Sequence, residues 1–139
     1  IGYLSRWNKM TPDQLIYDYL FELTLNAGYT TYDHLPLESE NVPYPFVVIG
    51  AVQTIPITTK NAVYGQITVN IDVWGNAESR FEISKIMNDI FVQAMEPACI
   101  QSYSVRLRID RSDNQIIQDM SVPNTILNHG MLTLIFNIN

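Results

Sequence analysis

Two helical stripes set among runs of alternating strand pattern predict an α+β domain. Its sheet is a single, mostly antiparallel or mixed layer of about five or six strands, with both helices packed on one face. Three observations lead there. Leu15, Ile16, Tyr19, Leu20 and Leu23 fall on one helical stripe. A second stripe holds Ile83, Ile86, Met87, Ile90, Phe91, Ala94 and Met95. Gln66 to Trp74, Tyr103 to Ile109 and Met131 to Ile138 alternate with the two-residue period of half-buried strands. Two helices cover only one face of such a sheet, so the other is left to loops, solvent or neighbours.

The elements follow in order. Ile1 to Lys9 has neither helical nor strand periodicity and reads as an arm ahead of one domain, residues 10–139. Thr11 suits an N-cap, Pro12 the first turn, and Gln14 would close a capping box with Thr11. Gly28 supplies the stop, giving a helix from about Pro12 to Ala27. Tyr29 to Asp33 is a short strand candidate, and the proline-rich Leu35 to Pro45 an exposed loop. Phe46 to Val52 is continuous and β-branched, as a buried strand is. Gln53 to Gly65, with Pro56, Thr58-Thr59, Lys60 and Asn61, reads as a long hairpin tip. After the strand Gln66 to Trp74, Gly75-Asn76 opens the second helix, which Pro97 ends. Tyr103 to Ile109 sets Val105, Leu107 and Ile109 against Ser104, Arg106 and Arg108. Asp113-Asn114 turns into Gln115 to Met120, and Met131 to Ile138 closes the sheet.

Composition narrows the class. At 139 residues, 47% hydrophobic and 16% charged, the chain fits one compact domain and is too apolar to be disordered. No apolar run approaches the ~18 residues of a membrane span, so no membrane partner is expected. Arg6 and Lys9 precede no signal-type stretch, and the lone Cys99 fits a reducing compartment without disulfides. The charge is uneven. Between Met10 and Thr59 stand six carboxylates (Asp13, Asp18, Glu22, Asp33, Glu38, Glu40) and no lysine or arginine, whereas Arg106, Arg108 and Arg111 cluster late. A net charge of −6 makes a poor general nucleic-acid binder, but acid set against clustered arginine suits contact between copies.

Catalytic constellations are thin. His34 and His129 are the only histidines, read as solvated or hydrogen-bonded loop residues, and no HxxxH or CxxC spacing offers a metal site. Cys99 with His129 could be drawn as a nucleophilic set. Its apolar neighbours Ala98 and Ile100, with no base beside it, favour a buried inert thiol. Asp72 stands alone on a strand face. Glycine motifs for phosphate or nucleotide are absent. Neither a cofactor, a metal nor a catalytic residue is expected.

The ordered pieces nevertheless resemble a known family. They are the Thr11-Pro12-Asp13 helix opening, Tyr29 to Leu35 (YTTYDHL) before a proline-bounded loop, and Val42 to Gly50 (VPYPFVVIG). Gly65 to Gly75 (GQITVNIDVWG), Arg80 shortly after it, and Gly130 to Phe136 (GMLTLIF) complete the set. Together, across Met10 to Ile138, they resemble the tail-terminator, or tail-completion, proteins of long-tailed bacteriophages, the siphophages in particular. The resemblance implies a structural virion protein at the head-proximal end of the tail. Members form a hexameric ring that caps the tail tube, stops its polymerisation, meets the head-completion or connector proteins and lets DNA pass through its lumen. The family offers no catalytic residue to carry over.

Three expectations about surfaces follow. The tip, with Gln53, Thr54, Thr58, Thr59, Lys60, Asn61 and Tyr64, reaches a neighbouring subunit or the tube protein, since long loops are usually functional. Arg106, Arg108 or Arg111 pairs with the acidic Met10 to Glu40 region of a neighbour, against the plain alternative of solvated arginines. Surplus acid lines the lumen, where it would repel DNA. Competing readings are a head-closure or connector ring protein, and a small-molecule-binding or hydrolytic domain using Asp33, His34 and Asp72.

Overall fold

The computed structural model describes residues 11–58 and 63–139. Helix α1 (Pro12–Asn26) starts after Thr11, whose backbone is extended and whose carbonyl accepts the first helical bond, from Leu15 N–H at 2.9 Å. The expected capping box does not form. Thr11 makes no side-chain capping bond, and the Gln14 amide donates instead to Asp18 one turn on, at 3.0 Å. Pro12 has no N–H to satisfy, which lessens the need for a cap. At the other end Gly28 takes φ 93°, and its N–H donates to Leu25 while that of Tyr29 donates to Thr24. This pair of bonds is a Schellman stop, and its left-handed residue favours glycine.

Thr31 then bonds Thr24, hydroxyl to hydroxyl at 2.7 Å, tying the helix end to β1 (Thr31–Tyr32). Strand β1 lies parallel to the start of β2 (Phe46–Thr58), which pairs antiparallel with β3 (Val63–Asn76). The expected irregular tip is corrected here. Gln53 to Thr58 pairs with Thr68 back to Val63, so these residues form a two-stranded arm. Thr54, Ile55, Ile57 and Thr58 are β-branched and suit extended pairing despite the polar composition. Thr59, Lys60 and Asn61 lie outside the described residues.

After β3, the Asn76 side chain accepts from Glu78 N–H and Ser79 Oγ and turns the chain into helix α2 (Arg80–Ala94). The strand β4 (Ala98–Ile100) was not legible in the alternation and forms a hairpin with β5 (Tyr103–Leu107). Its turn residues Gln101 and Ser102 both take positive φ, the geometry of a two-residue hairpin turn. Two expectations change with it. Cys99 is exposed rather than buried, because Ala98 and Ile100 pack on the core and alternation turns Cys99 outward. Strand β5 ends at Leu107, and Ile109 lies exposed in the following turn.

Strands β6 (Asp113–Asp119) and β7 (Leu127–Ile138) complete a seven-stranded sheet of order β1-β2-β3-β7-β5-β4, with β6 also on β7. Strands β5 and β6 share one edge of β7, pairing with Phe136 to Ile138 and with Leu127 to Thr133 respectively. Ser112 bridges the break: its hydroxyl donates to the Arg108 carbonyl and accepts from Ile135 N–H. The backbone of β7 therefore stays bonded where its partner changes.

Helices α1 and α2 cover one face, as the sequence predicts. The core joins Leu15, Ile16 and Leu20 of α1 and Ile83, Met87 and Ile90 of α2 to inward residues of β2, β3, β5 and β7. Contact at α2 is so close that a Cβ on Gly130 would overlap Met87 Sδ and stand 2.9 Å from Ile83 Cγ2. Gly75 meets Ile83 in the same way. Glycine here is a packing requirement of the helix on the sheet.

Candidate functional site

The helix-free face is built by the alternate residues of the same strands. Cross-strand partners share a face, so Trp74 with His129, Asp72 with Met131, Asn70 with Thr133 and Thr68 with Ile135 form successive rungs. Arg106 of β5 stands opposite Asn137 on this face and is exposed. Most of the surface is polar or half-buried, and among the described residues no helix lies over it.

One end differs. Phe46 pairs with Trp74 across β2 and β3, Tyr44 stacks on Phe46 at 5.3 Å, and Tyr32 meets Phe46 edge-on at 5.6 Å. Trp74 and the His129 ring stack at 3.8 Å and 9°. His129 Nε2 lies 2.7 Å from Asp72 Oδ1, a cross-strand pair that fixes the ring over Trp74. His129 therefore belongs to a strand, not to a loop as expected, because β7 begins at Leu127.

Above this aromatic row, two loops from distant parts of the chain fold over the face. The first, residues 33–45, includes a short 3-10 turn, Glu38–Glu40, and a cis Tyr44–Pro45 peptide. The second is residues 120–126. Between them opens a cleft of about 410 Å³ with Phe46, Trp74 and Leu127 as its floor and Leu35, Leu37 and Val122 as walls. Leu35, Leu37, Tyr44, Met120 and Ile126 remain exposed around it, an unusual concentration of large apolar side chains. Asp119 accepts two bonds from Ser121, which hold its carboxyl below the usual range.

The sequence-proposed residues fare as follows. Gln53 and Thr54 are exposed on β2, and Thr58 and Tyr64 sit at paired backbone positions of the β2–β3 arm. Among the described residues, no strand pairs with the outer edge of β2 after Val48. A bulge between Ile49 and Val52, together with Pro56, interrupts that edge. Arg108 is held by Asp110 of its own chain, Nε to Oδ1 at 3.1 Å and Nη2 to Oδ2 at 3.0 Å. This bidentate pair lowers the Asp110 pKa, and Arg111 adds to the effect. Among the described residues Arg106 makes no ion pair, and Arg111 acts on Asp110 only through space.

Asp33, His34 and Asp72 do not converge. His34 bonds Asp33 on the surface, whereas Asp72 is taken by His129. Among the described residues no group of three or more His, Cys, Asp or Glu could hold a metal ion, and no helix is long and apolar enough to cross a membrane. On the helix side, the Tyr29 hydroxyl donates to Asp89. Burial first, then this bond, push the phenol up to about 12, while the bond holds Asp89 below the usual carboxylate range.

No family model matches the chain, and no curated protein matches it by sequence. Among solved structures, the fold is similar to that of a chain in the virion of a native gene transfer agent particle. The TM-score is 0.56 at 11% identity, over 88% of this chain and 90% of that one. At that identity the likeness is one of fold, and it extends over nearly the whole of both chains.

Proposed function

We propose that this chain is a structural subunit of a phage-type virion and acts as a tail terminator. Copies of it form a ring, hexameric as the family resemblance implies, on the head-proximal end of the tail tube. The ring stops tube growth, receives the head-completion or connector protein and leaves a lumen for DNA. The observation that carries this reading is the near end-to-end fold likeness to a virion chain. The resemblance in Val42 to Gly50 and Gly65 to Gly75 points the same way; Phe46 to Gly50 of the first and all of the second fall on the β2–β3 hairpin.

The geometry supplies a mechanism. One face is closed by helices, while the opposite face and the outer edges of β2, β4 and β6 are open among the described residues. Unlike surfaces meeting head to tail close into a ring when the rotation per copy permits. The β2–β3 arm reaches a neighbour or the tube, Arg106, which makes no ion pair among the described residues, pairs with the acidic Met10 to Glu40 region of another copy, and surplus carboxylates repel DNA in the lumen.

Tail-tube subunits polymerised with and without the protein test this. A terminator binds finished tube ends and fixes their length. Binding to the connector with no effect on tubes would assign the chain to head closure instead.

A further inference from the structure

We infer that the apolar cleft between residues 33–45 and 120–126 receives the segment Ile1–Lys9 of a second copy of this chain. The cleft has the composition of a peptide receptor. Its floor is aromatic and aliphatic (Phe46, Trp74, Leu127), and Leu37 on its wall is 66% exposed although apolar. Exposed apolar side chains on both bordering segments, Leu35 and Leu37 on one and Met120 and Ile126 on the other, are costly in water unless something covers them.

Charge and side-chain type select the occupant. Segment 33–45 carries Asp33, Glu38 and Glu40, Asp119 directly precedes 120–126, and neither segment holds a lysine or arginine. Ile1–Lys9 (IGYLSRWNK) carries Arg6 and Lys9 and no carboxylate, and it offers Tyr3, Leu4 and Trp7 as anchors. Aromatic anchors in an apolar pocket with opposite charge at the rim are the usual division between affinity and selectivity.

Geometry favours a second copy over the chain's own arm. Helix α1 has 15 residues, so Thr11 stands about 22 Å from its Ala27 end. The cleft is at the Ala27 end, since Tyr32, just after it, contacts Phe46 on the cleft floor. It opens on the face opposite the helices. Nine residues span at most about 30 Å when fully extended. The path along the helix and around the sheet edge consumes all of that before any anchor is seated. An arm given to a neighbour has no such detour.

The inference rests on the self-assembly proposed above, but not on the tail tube being the target. Full-length chains carrying a photoreactive phenylalanine analogue in place of Trp7, half of them isotopically heavy, test it by cross-linking and mass spectrometry. Mixed light–heavy links to residues 35–44 and 120–127 are expected. Leu37→Asp, at a position exposed enough to leave the fold intact, should reduce them at least about tenfold, the effect of losing one apolar anchor. Links confined within one chain, links to another surface, or links unchanged by Leu37→Asp would overturn the inference, as would their transfer to added tube subunits. Tube capping without these links would sink this inference alone. The links without capping would sink the terminator reading and leave this one standing.

Discussion

Toward the helices, β3 presents Ile67, Val69, Ile71 and Val73, and β7 presents Leu132, Leu134, Phe136 and Ile138, all buried. Away from them the same two strands present Thr68, Asn70 and Asp72, with Thr133 and Asn137, and end in the Trp74–His129 stack. One backbone ladder thus carries a closed face and an open one. The difference separates two kinds of consequence: substitutions on the closed face act on stability, those on the open face act on assembly. Each prediction below presses on that separation.

Phe136→Ala removes a wholly buried ring beneath the helices and should cost about 3–5 kcal/mol, read as a lower urea midpoint. A loss below about 1 kcal/mol would show that the closed face is not the core. Gly130→Ala comes next. Its Cβ meets Ile83 and Met87, and overpacking of this sort costs about 1–3 kcal/mol. If stability is unchanged, α2 can retreat from the sheet.

Tyr29→Phe removes the bond to Asp89 and should cost about 1 kcal/mol near neutral pH. The phenol's pKa is raised by folding to about 12 from an ordinary 10.0, so its contribution is complete below pH 10 and is lost as pH rises towards 12. Asp89 is lowered, so its share holds above the ordinary carboxylate value of 3.8 and fades as pH falls below it. Denaturation midpoints of the two proteins should therefore converge at both extremes, and a parallel offset throughout would rule the bond out as the cause. The smallest stability effect is expected of Arg106→Glu on the open face, within about 0.5 kcal/mol. Native mass spectrometry should nonetheless show fewer rings. An unchanged ring population would assign Arg106 to solvent.

Much of the closed face was legible in the sequence, because burial under a helix forces an apolar period that Leu15 to Leu23 and Ile83 to Met95 display openly. The β2–β3 arm is hard to read as strand because Pro56 and the Thr58-Thr59, Lys60-Asn61 run signal a turn, which masks the short alternation of Ile55 and Ile57. Its pairing is set by register with Val63 to Thr68 instead. Strand β4 is three residues long, too short for a period to show. The open face was least legible. His129 finds Asp72 across 57 positions, and the cleft arises where residues 33–45 and 120–126 meet over Trp74, a convergence that no local pattern encodes. The acidic, lysine-free and arginine-free stretch from Met10 to Thr59 includes the segment 33–45 that borders the cleft, with Asp33, Glu38 and Glu40 in its sequence.

Electron-microscopy class averages of tail tubes grown in the presence of the protein test the central claim most directly. The account predicts a ring of this chain closing one end of each tube, with copies meeting through strand edges, the open face and the acidic 10–40 region, while α2 remains outside those contacts. Bare tube ends, or a ring held together through α2, would contradict it.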